Sequence, residues 1–139
     1  MSLQFKWKVK MTFQEHGAFE IDISGNVIEV CLVGAFNREA TLHYCDDLDL
    51  KITDLEPMPF YILLDIRKVE GATPESWEVA QEHNNWLSTK NITKKVIVCT
   101  SELIDYFAHK INESTLQDKV IYFNDLNTAK NWIAKDKRM

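Results

Sequence analysis

The sequence has few of the residues that mark specialised classes of protein. Its 139 residues include three cysteines and four glycines, and no two cysteines stand at metal-ligand spacing. An odd number of widely separated cysteines argues against a disulfide framework and favours a reducing compartment. The glycines are isolated from one another, so the glycine-rich loop that binds nucleotide phosphates is missing.

Long apolar runs and an excess of positive charge are missing as well. No stretch is apolar over the roughly 20 residues that a membrane-spanning helix needs, and Lys6, Lys8 and Lys10 interrupt any signal-peptide core. The net charge of −5 disfavours nucleic acids and anionic membranes as partners, because both attract positive surfaces. We therefore expect a cytoplasmic protein that neither binds nucleic acid nor inserts into a membrane.

The clearest positive signal is a strand–loop–helix unit that begins at residue 60. Residues 60–65 form a continuous apolar run that ends in an acid, which is typical of a central parallel strand. A loop is expected from there to Thr73, which is a good N-cap, and Pro74 fits the first turn of the helix that follows.

The other patterns give the order of the elements. Residues 18–24 and 27–33 flank Gly25 and Asn26, which predicts a β-hairpin with a tight turn. Short apolar strands at residues 96–99 and 120–123 alternate with helical patterns, whose N-caps are Asn37, Thr73, Ser101 and Asp125. The sequence thus predicts an α/β fold, a β-hairpin and then αβαβαβα, with a mixed sheet of about five or six strands and helices on its faces.

Residues 1–16 stand apart from this pattern. Apolar and polar side chains alternate strictly from residue 3 to residue 13, which predicts an extra amphipathic strand. The rest, residues 17–139, is expected to be one domain. The extra strand can pack on its own domain or pair with a second copy, and the second alternative makes it a candidate contact in a homodimer.

Any ligand is expected at the carboxyl ends of the parallel strands. The polar side chains predicted at this edge are Asn37, Asp65, Arg67, Thr73, Ser101 and Asp125. Helix N-termini with their caps can bind an anion. The same caps need no ligand to explain them, because each can satisfy the first N–H groups of its own helix.

Catalytic and metal-binding sets are weak. His43, Asp46 and Asp47 share one helix face, a spacing that suits metal ligands but also an ordinary solvated surface. Ser101 lacks the Gly-x-Ser-x-Gly context of a hydrolase, and Cys99 has no histidine beside it in the sequence. We therefore expect a protein that is not an enzyme and needs no metal or cofactor.

Aromatic residues offer a different kind of site. Trp77, His83 and Trp86 are predicted on one helix, and Tyr44 on the helix before it. Such side chains can line a cavity for a small apolar ligand, or they can simply fill the core.

Together these features resemble the SpoIIAA-like group, which is related to STAS domains and to a family of lipid carriers. The resemblance covers residues 17–133 and rests on the order of elements, the hairpin turn at Gly25 and the segments 34–37, 63–67 and 69–71. It implies a non-catalytic bacterial domain that binds a partner protein, as anti-sigma-factor antagonists do. The kinship with lipid carriers implies the alternative, a carrier or sensor of a small apolar, lipid-like ligand.

The resemblance also identifies a candidate interaction surface. STAS antagonists are switched by phosphorylation of a serine at the start of the second helix, because phosphate adds about two negative charges there. The family motif Asp-Ser-Ser/Thr-Gly aligns with residues 73–76, and here Pro74 and Glu75 replace its two hydroxyl residues. The resemblance therefore implies a protein-binding loop without the usual phosphoacceptor. Its residues are Asp65, Arg67, Glu70, Thr73, Glu75, Ser76 and Trp77.

Overall fold

The computed structural model describes residues 17–111 and 116–139, which contain one five-stranded sheet and four α-helices. The strands are β1 (Ala18–Ser24), β2 (Val27–Phe36), β3 (Phe60–Ala72), β4 (Ile92–Val98) and β5 (Val120–Phe123). The helices are α1 (Arg38–Leu55), α2 (Pro74–Leu87), α3 (Glu102–Ile111) and α4 (Leu126–Lys137), and a 3₁₀ turn spans Gln117–Lys119. The predicted order, a β-hairpin followed by αβαβαβα, is confirmed. The extra strand predicted in residues 1–16 lies outside the described residues.

The sheet is mixed, and its strands follow one another in chain order. β1 is antiparallel to β2 across a turn in which Gly25 has a φ of 61°, a conformation that glycine adopts without steric cost. The pairs from β2 to β5 are all parallel. This is the mixed α/β sheet that the sequence predicts.

The strand order also explains how the helices are distributed over the two faces. Each new parallel strand is added on the same side of the last one, and crossovers are right-handed in almost all proteins. The crossover helices α1, α2 and α3 therefore fall on one face, which we call the three-helix face. Helix α4 follows the last strand and covers the opposite face, which we call the α4 face.

Strand β3 supplies the centre of both cores. Its side chains alternate between the faces, so Ile62 and Leu64 are buried on the three-helix face and Tyr61 and Leu63 on the α4 face. A strand that is covered on both sides has to be apolar at every position. This is the physical reason for the continuous apolar run at residues 60–65.

The strand runs further than the sequence pattern indicates. The expected loop after Asp65 is wrong, because β3 continues to Ala72 and stays paired with β2, where Phe36 lies opposite Ala72. Irregularities in the β2 register near Val33 and Gly34 accompany this extension. The polar residues that follow Asp65 are typical of a loop, but here they belong to a strand end that projects into solvent and still forms ladder hydrogen bonds.

All four predicted N-caps are confirmed. In each, a side-chain oxygen accepts a hydrogen bond from a backbone N–H three residues later, at 2.8 to 3.3 Å. The caps are Asn37 for α1, Thr73 for α2, Ser101 for α3 and Asp125 for α4. Within residues 17–111 and 116–139, no helix has both the length and the apolar character that crossing a bilayer requires.

Candidate functional site

The residues predicted for the interaction loop do not form one cluster. Asp65 and Arg67 alternate with Ile66 along β3 and therefore lie on the α4 face. Ser76 belongs to α2 and turns toward the three-helix face, where it lines a cavity with Trp77. The sheet thus separates the predicted set into two groups.

On the α4 face, Asp65 and Arg67 form a closed pair. Arg67 Nε donates to Asp65 Oδ1 at 2.9 Å, and Nη2 donates to Oδ2 at 2.8 Å. The backbone N–H of Arg67 adds a bond of 3.1 Å to Oδ1. Burial alone would raise the pKa of Asp65, but the hydrogen bonds and charge of Arg67 outweigh it and hold that pKa below its usual range. The carboxylate is therefore ionised and directed at its own neighbour.

At the start of α2, the hydroxyl groups have structural partners. Thr73 Oγ1 accepts a hydrogen bond from the Ser76 N–H, and the Thr73 N–H donates to the carbonyl of Phe36 at 3.0 Å. The Ser76 side chain is buried and hydrogen-bonds to Thr41 Oγ1 of α1. Glu70 and Glu75 are exposed beside this helix start. The exposed side chains beside this helix start are therefore acidic.

A cavity of about 90 Å³ lies between the sheet and the helices of the three-helix face. Its walls are mostly apolar. Residues from β2, β3, β4 and all three helices contribute, among them Phe36, Tyr44, Leu64, Trp77, Ile97 and Ala108. The sheet and all three helices of the three-helix face thus contribute to the wall of one cavity.

Four buried polar side chains line the same cavity, namely Thr41, Ser76, Asn84 and Lys95. Lys95 is only 5% exposed, and its ammonium donates to Asn84 Oδ1 at 2.8 Å. Burial lowers the pKa of Lys95 to about 8, because removal from water disfavours the charged form. The cavity therefore has an apolar wall and a buried cation at one position.

Sequence reasoning missed Lys95, although a signal is present. The predicted strand began at Val96, whereas β4 begins at Ile92. With this start, alternation places Lys95 on the same face as Ile97 and Lys94 on the opposite one. A lysine inside a parallel strand that is covered on both faces is unusual, and this is the feature that points to the site.

Only some of the aromatic residues that were expected to line a cavity do so. Tyr44, Trp77 and His83 line the cavity, whereas Trp86 stacks on His83 outside it, with ring centroids 5.5 Å apart. His83 Nε2 also lies 2.6 Å from Asp49 Oδ1. Among the described residues, no group of three or more histidine, cysteine or carboxylate side chains is placed to hold a metal ion.

The predicted edge at the carboxyl ends of the strands contains an open groove between β4, β5 and α3. Its residues include Cys99, Ser101, Glu102, Asp105 and Tyr122. Two of these are acids in the first turn of α3. Because acids already complement the positive end of that helix, a bound anion is disfavoured here.

No protein-family model matches the chain, and no curated protein gives a significant match. Solved structures do match its fold. An uncharacterised protein of the DUF3478 family with a SpoIIAA-like fold, from Shewanella loihica PV-4, has a TM-score of 0.65 at 18% identity, over 85% of this chain and 94% of that one.

Two further matches are anti-sigma factor antagonists. SpoIIAA in its unphosphorylated form has a TM-score of 0.59 at 8% identity, over 88% of this chain and 100% of that one. An anti-sigma factor antagonist from Mycobacterium paratuberculosis has a TM-score of 0.61 at 10% identity, over 85% of this chain and 94% of that one. At such identities the likeness is one of architecture. The chain has the SpoIIAA-like fold.

Proposed function

We propose that this chain is a non-catalytic module that binds a partner protein in the cytoplasm. The observation that carries the proposal is the fold, which this chain shares with two anti-sigma factor antagonists. The three free cysteines of the described residues, Cys31, Cys45 and Cys99, support a reducing compartment.

We infer that the module works without a phosphoserine at the start of its second helix. The serine nearest to that position, Ser76, is buried and hydrogen-bonded to Thr41. A kinase needs the hydroxyl to be accessible, and a phosphate at this position would bring about two negative charges into the core. Glu75 instead places an acidic side chain in the first turn.

The surface proposed to contact the partner is the end of β3 and the start of α2. Glu70, Thr73 and Glu75 are exposed there, and Trp77 is half-buried beside them. Arg67 projects from the same strand on the α4 face, where it is paired with Asp65. Two acids next to an aromatic side chain suit a partner with a basic patch and an apolar pocket.

The test is capture of partners from cell lysate with two charge-reversal variants. Glu75→Lys lies in the proposed surface, and Glu82→Lys makes the same change on an exposed position two turns further along α2. We expect Glu75→Lys to lose proteins that the wild type and Glu82→Lys retain. Identical sets of captured proteins for both variants would show that this surface is wrong.

We also propose that the chain forms a homodimer through the amphipathic strand in residues 1–16. β1 pairs with β2 and forms one edge of the sheet in the described part of the chain. Such an edge accepts an added strand. Val9→Lys, on the apolar face of the predicted strand, should shift the mass measured by sedimentation from dimer to monomer. Lys8→Gln, on its polar face, should not.

The cavity favours a second candidate function, the binding of a small apolar ligand. Its 90 Å³ is well below the roughly 300–1,000 Å³ of pockets for drug-sized ligands. The ligand must therefore be much smaller than a lipid. Addition of 1-butanol should shift the methyl NMR signals of Leu64 and Ile97, and unchanged signals up to saturation with the alcohol would count against this candidate.

A further inference from the structure

We propose that an exposed apolar surface shared by α2 and α3 binds an amphipathic helix of the partner protein, one with lysine or arginine beside its apolar stripe. The surface consists of Trp77, Leu103, Tyr106 and Phe107, and we call it the α2–α3 surface. The inference rests on the proposed function, and it adds the extent of the contact and the kind of element that is bound.

Two large apolar side chains of α3 project into solvent. Leu103 is 64% exposed and Tyr106 is 56% exposed. The core takes Ile104 and Ala108 from the same helix, so α3 is apolar on its outer side as well as on its inner side. The exposed positions of α4, in contrast, are mostly polar. A helix that is apolar beyond the side it buries indicates a second contact surface.

Ring contacts join these side chains to α2. Trp77 stacks on Phe107, with ring centroids 4.9 Å apart, and Phe107 meets Tyr106 edge-on at 5.5 Å. Leu103 precedes Tyr106 by three residues and Phe107 by four, which places it beside both on the surface of α3. Single exposed apolar residues are common on proteins, whereas a continuous aromatic and aliphatic patch is typical of a protein contact.

The charges around the α2–α3 surface determine the sign of its partner. Three exposed acids surround it, Glu75 and Glu78 on α2 and Glu102 at the start of α3. A second copy of this chain would bring the same acids against them, and the net charge of −5 adds to the repulsion. The charges therefore favour a basic partner over a second copy.

The ring of Tyr106 gives this preference a specific contact. Lys110 already lies over the ring, with Nζ 5.8 Å from the centroid, so the face of the ring is within reach of a long basic side chain. Glu102 is four residues before Tyr106 and lies on the same side of α3. An arginine of the partner can stack on the ring and pair with the Glu102 carboxylate at the same time.

The dimensions of the surface suit a helix. From Leu103 to Lys110, α3 advances about 10 Å, or two turns, and Trp77 widens the surface onto the neighbouring helix. A helix laid on such a surface contacts it through residues i, i+3 or i+4, and i+7, which share one side. A partner helix of about two to three turns therefore covers the apolar residues and brings its basic residues to the acids.

The test uses two synthetic peptides of about 14 residues, or four helical turns. Both have leucine at positions i, i+3, i+4 and i+7, and the other positions are lysine in one peptide and glutamate in the other. Calorimetry with the full chain measures affinity, and the indole N–H signal of Trp77 reports the location by NMR. Leu103→Ser removes an apolar side chain from the surface. Leu50→Ser is the matched control on α1, because Leu50 is 63% exposed.

We expect the lysine peptide to bind the wild type and Leu50→Ser with equal affinity and to shift the Trp77 signal in both. It should bind Leu103→Ser at least about tenfold more weakly, the factor that corresponds to one leucine side chain buried on binding. The glutamate peptide should not bind the wild type, because the acids of the surface repel it.

Three outcomes would overturn the inference. Equal affinity of the lysine peptide for Leu50→Ser and Leu103→Ser would mean that it is attracted to an acidic protein in general. Absence of binding to the wild type would mean that the surface does not accept a basic helix. A dimer that Leu103→Ser dissociates in sedimentation would mean that a second copy occupies the surface.

Capture from lysate separates this inference from the proposed function. If Glu75→Lys loses partners that Leu103→Ser retains, the proposed function stands and the extension of the contact to α3 is wrong. If both variants retain every protein that the wild type captures, the proposed function and the inference that rests on it are both wrong.

Discussion

The two faces of the sheet are packed differently although they share the same strands. On the α4 face, Leu63 and Val96 are buried against Ala129 and Ile133 of a single helix. On the three-helix face, a cavity of about 90 Å³ remains, and it is lined by buried polar side chains as well as apolar ones.

This difference has an energetic meaning. Protein interiors are packed as densely as organic crystals, and an unfilled volume costs stability because its walls lose contacts. A buried ammonium adds a desolvation cost. The three-helix face therefore departs from these packing rules, and such departures concentrate at functional sites.

Two neighbouring leucines of β3 give the most direct test of this comparison. Leu63→Ala, on the α4 face, should lower the free energy of unfolding by about 3 to 4 kcal/mol, because it leaves a cavity at a side chain that is only 1% exposed. Leu64→Ala, which enlarges the existing void, should cost about 2 kcal/mol, because Leu64 already lacks neighbours on that side.

Urea unfolding measures both changes in the free energy of unfolding. Because both are leucine-to-alanine substitutions in neighbouring positions of β3, each serves as the control for the other. An equal or larger loss for Leu64→Ala would mean that the three-helix face is packed as tightly as the other. The cavity would then not distinguish the two faces energetically.

The order of the elements could be predicted from the sequence, because it depends on local patterns. The apolar run at residues 60–65 follows from cover on both sides, and the caps at Asn37 and Thr73 follow from the unpaired N–H groups at helix starts. The cavity could not be predicted in this way. Its existence depends on how far three helices stand from the sheet, which no local pattern encodes.

The buried Lys95 was missed because its position also depends on more than the local sequence pattern. Two adjacent lysines at the start of a short apolar segment are typical of a solvated strand end, so the predicted strand began after them. The structure places Lys94 and Lys95 inside β4, where alternation directs the second into the core. The placement of Asp65 and Ser76 on opposite faces of the sheet likewise depends on the extension of β3. This extension is stabilised by pairing with β2 rather than by the residues of β3 themselves.

Removal of the buried charge should have the next largest effect, and it should stabilise. The pKa of Lys95 falls from an ordinary 10.5 to about 8 on folding, which corresponds to a cost on the order of 3 kcal/mol below pH 8. Lys95→Met removes this cost and leaves the Asn84 oxygen without that donor, at about 1 to 2 kcal/mol. We expect a net gain of about 1 to 2 kcal/mol at pH 7, and almost no change for Lys94→Met.

The gain from Lys95→Met should depend on pH in a defined direction. Between pH 8 and pH 10.5 the unfolded chain still binds the proton that folded Lys95 has released, so the stability of the wild type rises with pH. The advantage of Lys95→Met should therefore shrink across this interval. Burial raises the pKa of Cys45 and of Tyr44 in the folded chain, so the titration of these two groups adds nearly the same pH dependence to both proteins in this interval. A constant difference from pH 7 to pH 10.5 would contradict a buried ammonium.

A smaller effect is expected where α4 is tied to the sheet. Tyr61 Oη donates to Asp136 Oδ2 at 2.6 Å, and Tyr61→Phe should cost about 1.5 kcal/mol, the value for a hydrogen bond to a charged group. Tyr122→Phe is the counterpart near the three-helix face. Its hydroxyl donates to the Ala108 carbonyl at 3.4 Å, a longer and weaker bond to an uncharged group, so the cost should be smaller than that of Tyr61→Phe.

The Tyr61 bond should also have a pH signature. Burial, together with the hydrogen bond and charge of Asp136, raises the pKa of Tyr61 to about 12. Folded Tyr61 thus retains its proton between pH 10 and pH 12, where the unfolded chain releases it, and the stabilisation is lost as the pH rises through this interval. The wild type should lose more stability than Tyr61→Phe there. Parallel curves for the two proteins would show that this hydrogen bond does not hold α4 to the sheet.

The smallest effect concerns whether the two faces open separately. Thr73→Ala removes the cap of α2, the helix above the cavity, and should cost about 1 kcal/mol, whereas Thr73→Ser keeps the hydroxyl and most of the stability. Because α2 packs over a void, its amides should lose protection from hydrogen exchange in Thr73→Ala, while those of α4 keep theirs. Equal loss in both helices would mean that the faces unfold as one unit. The void would then weaken the whole domain rather than one side of it.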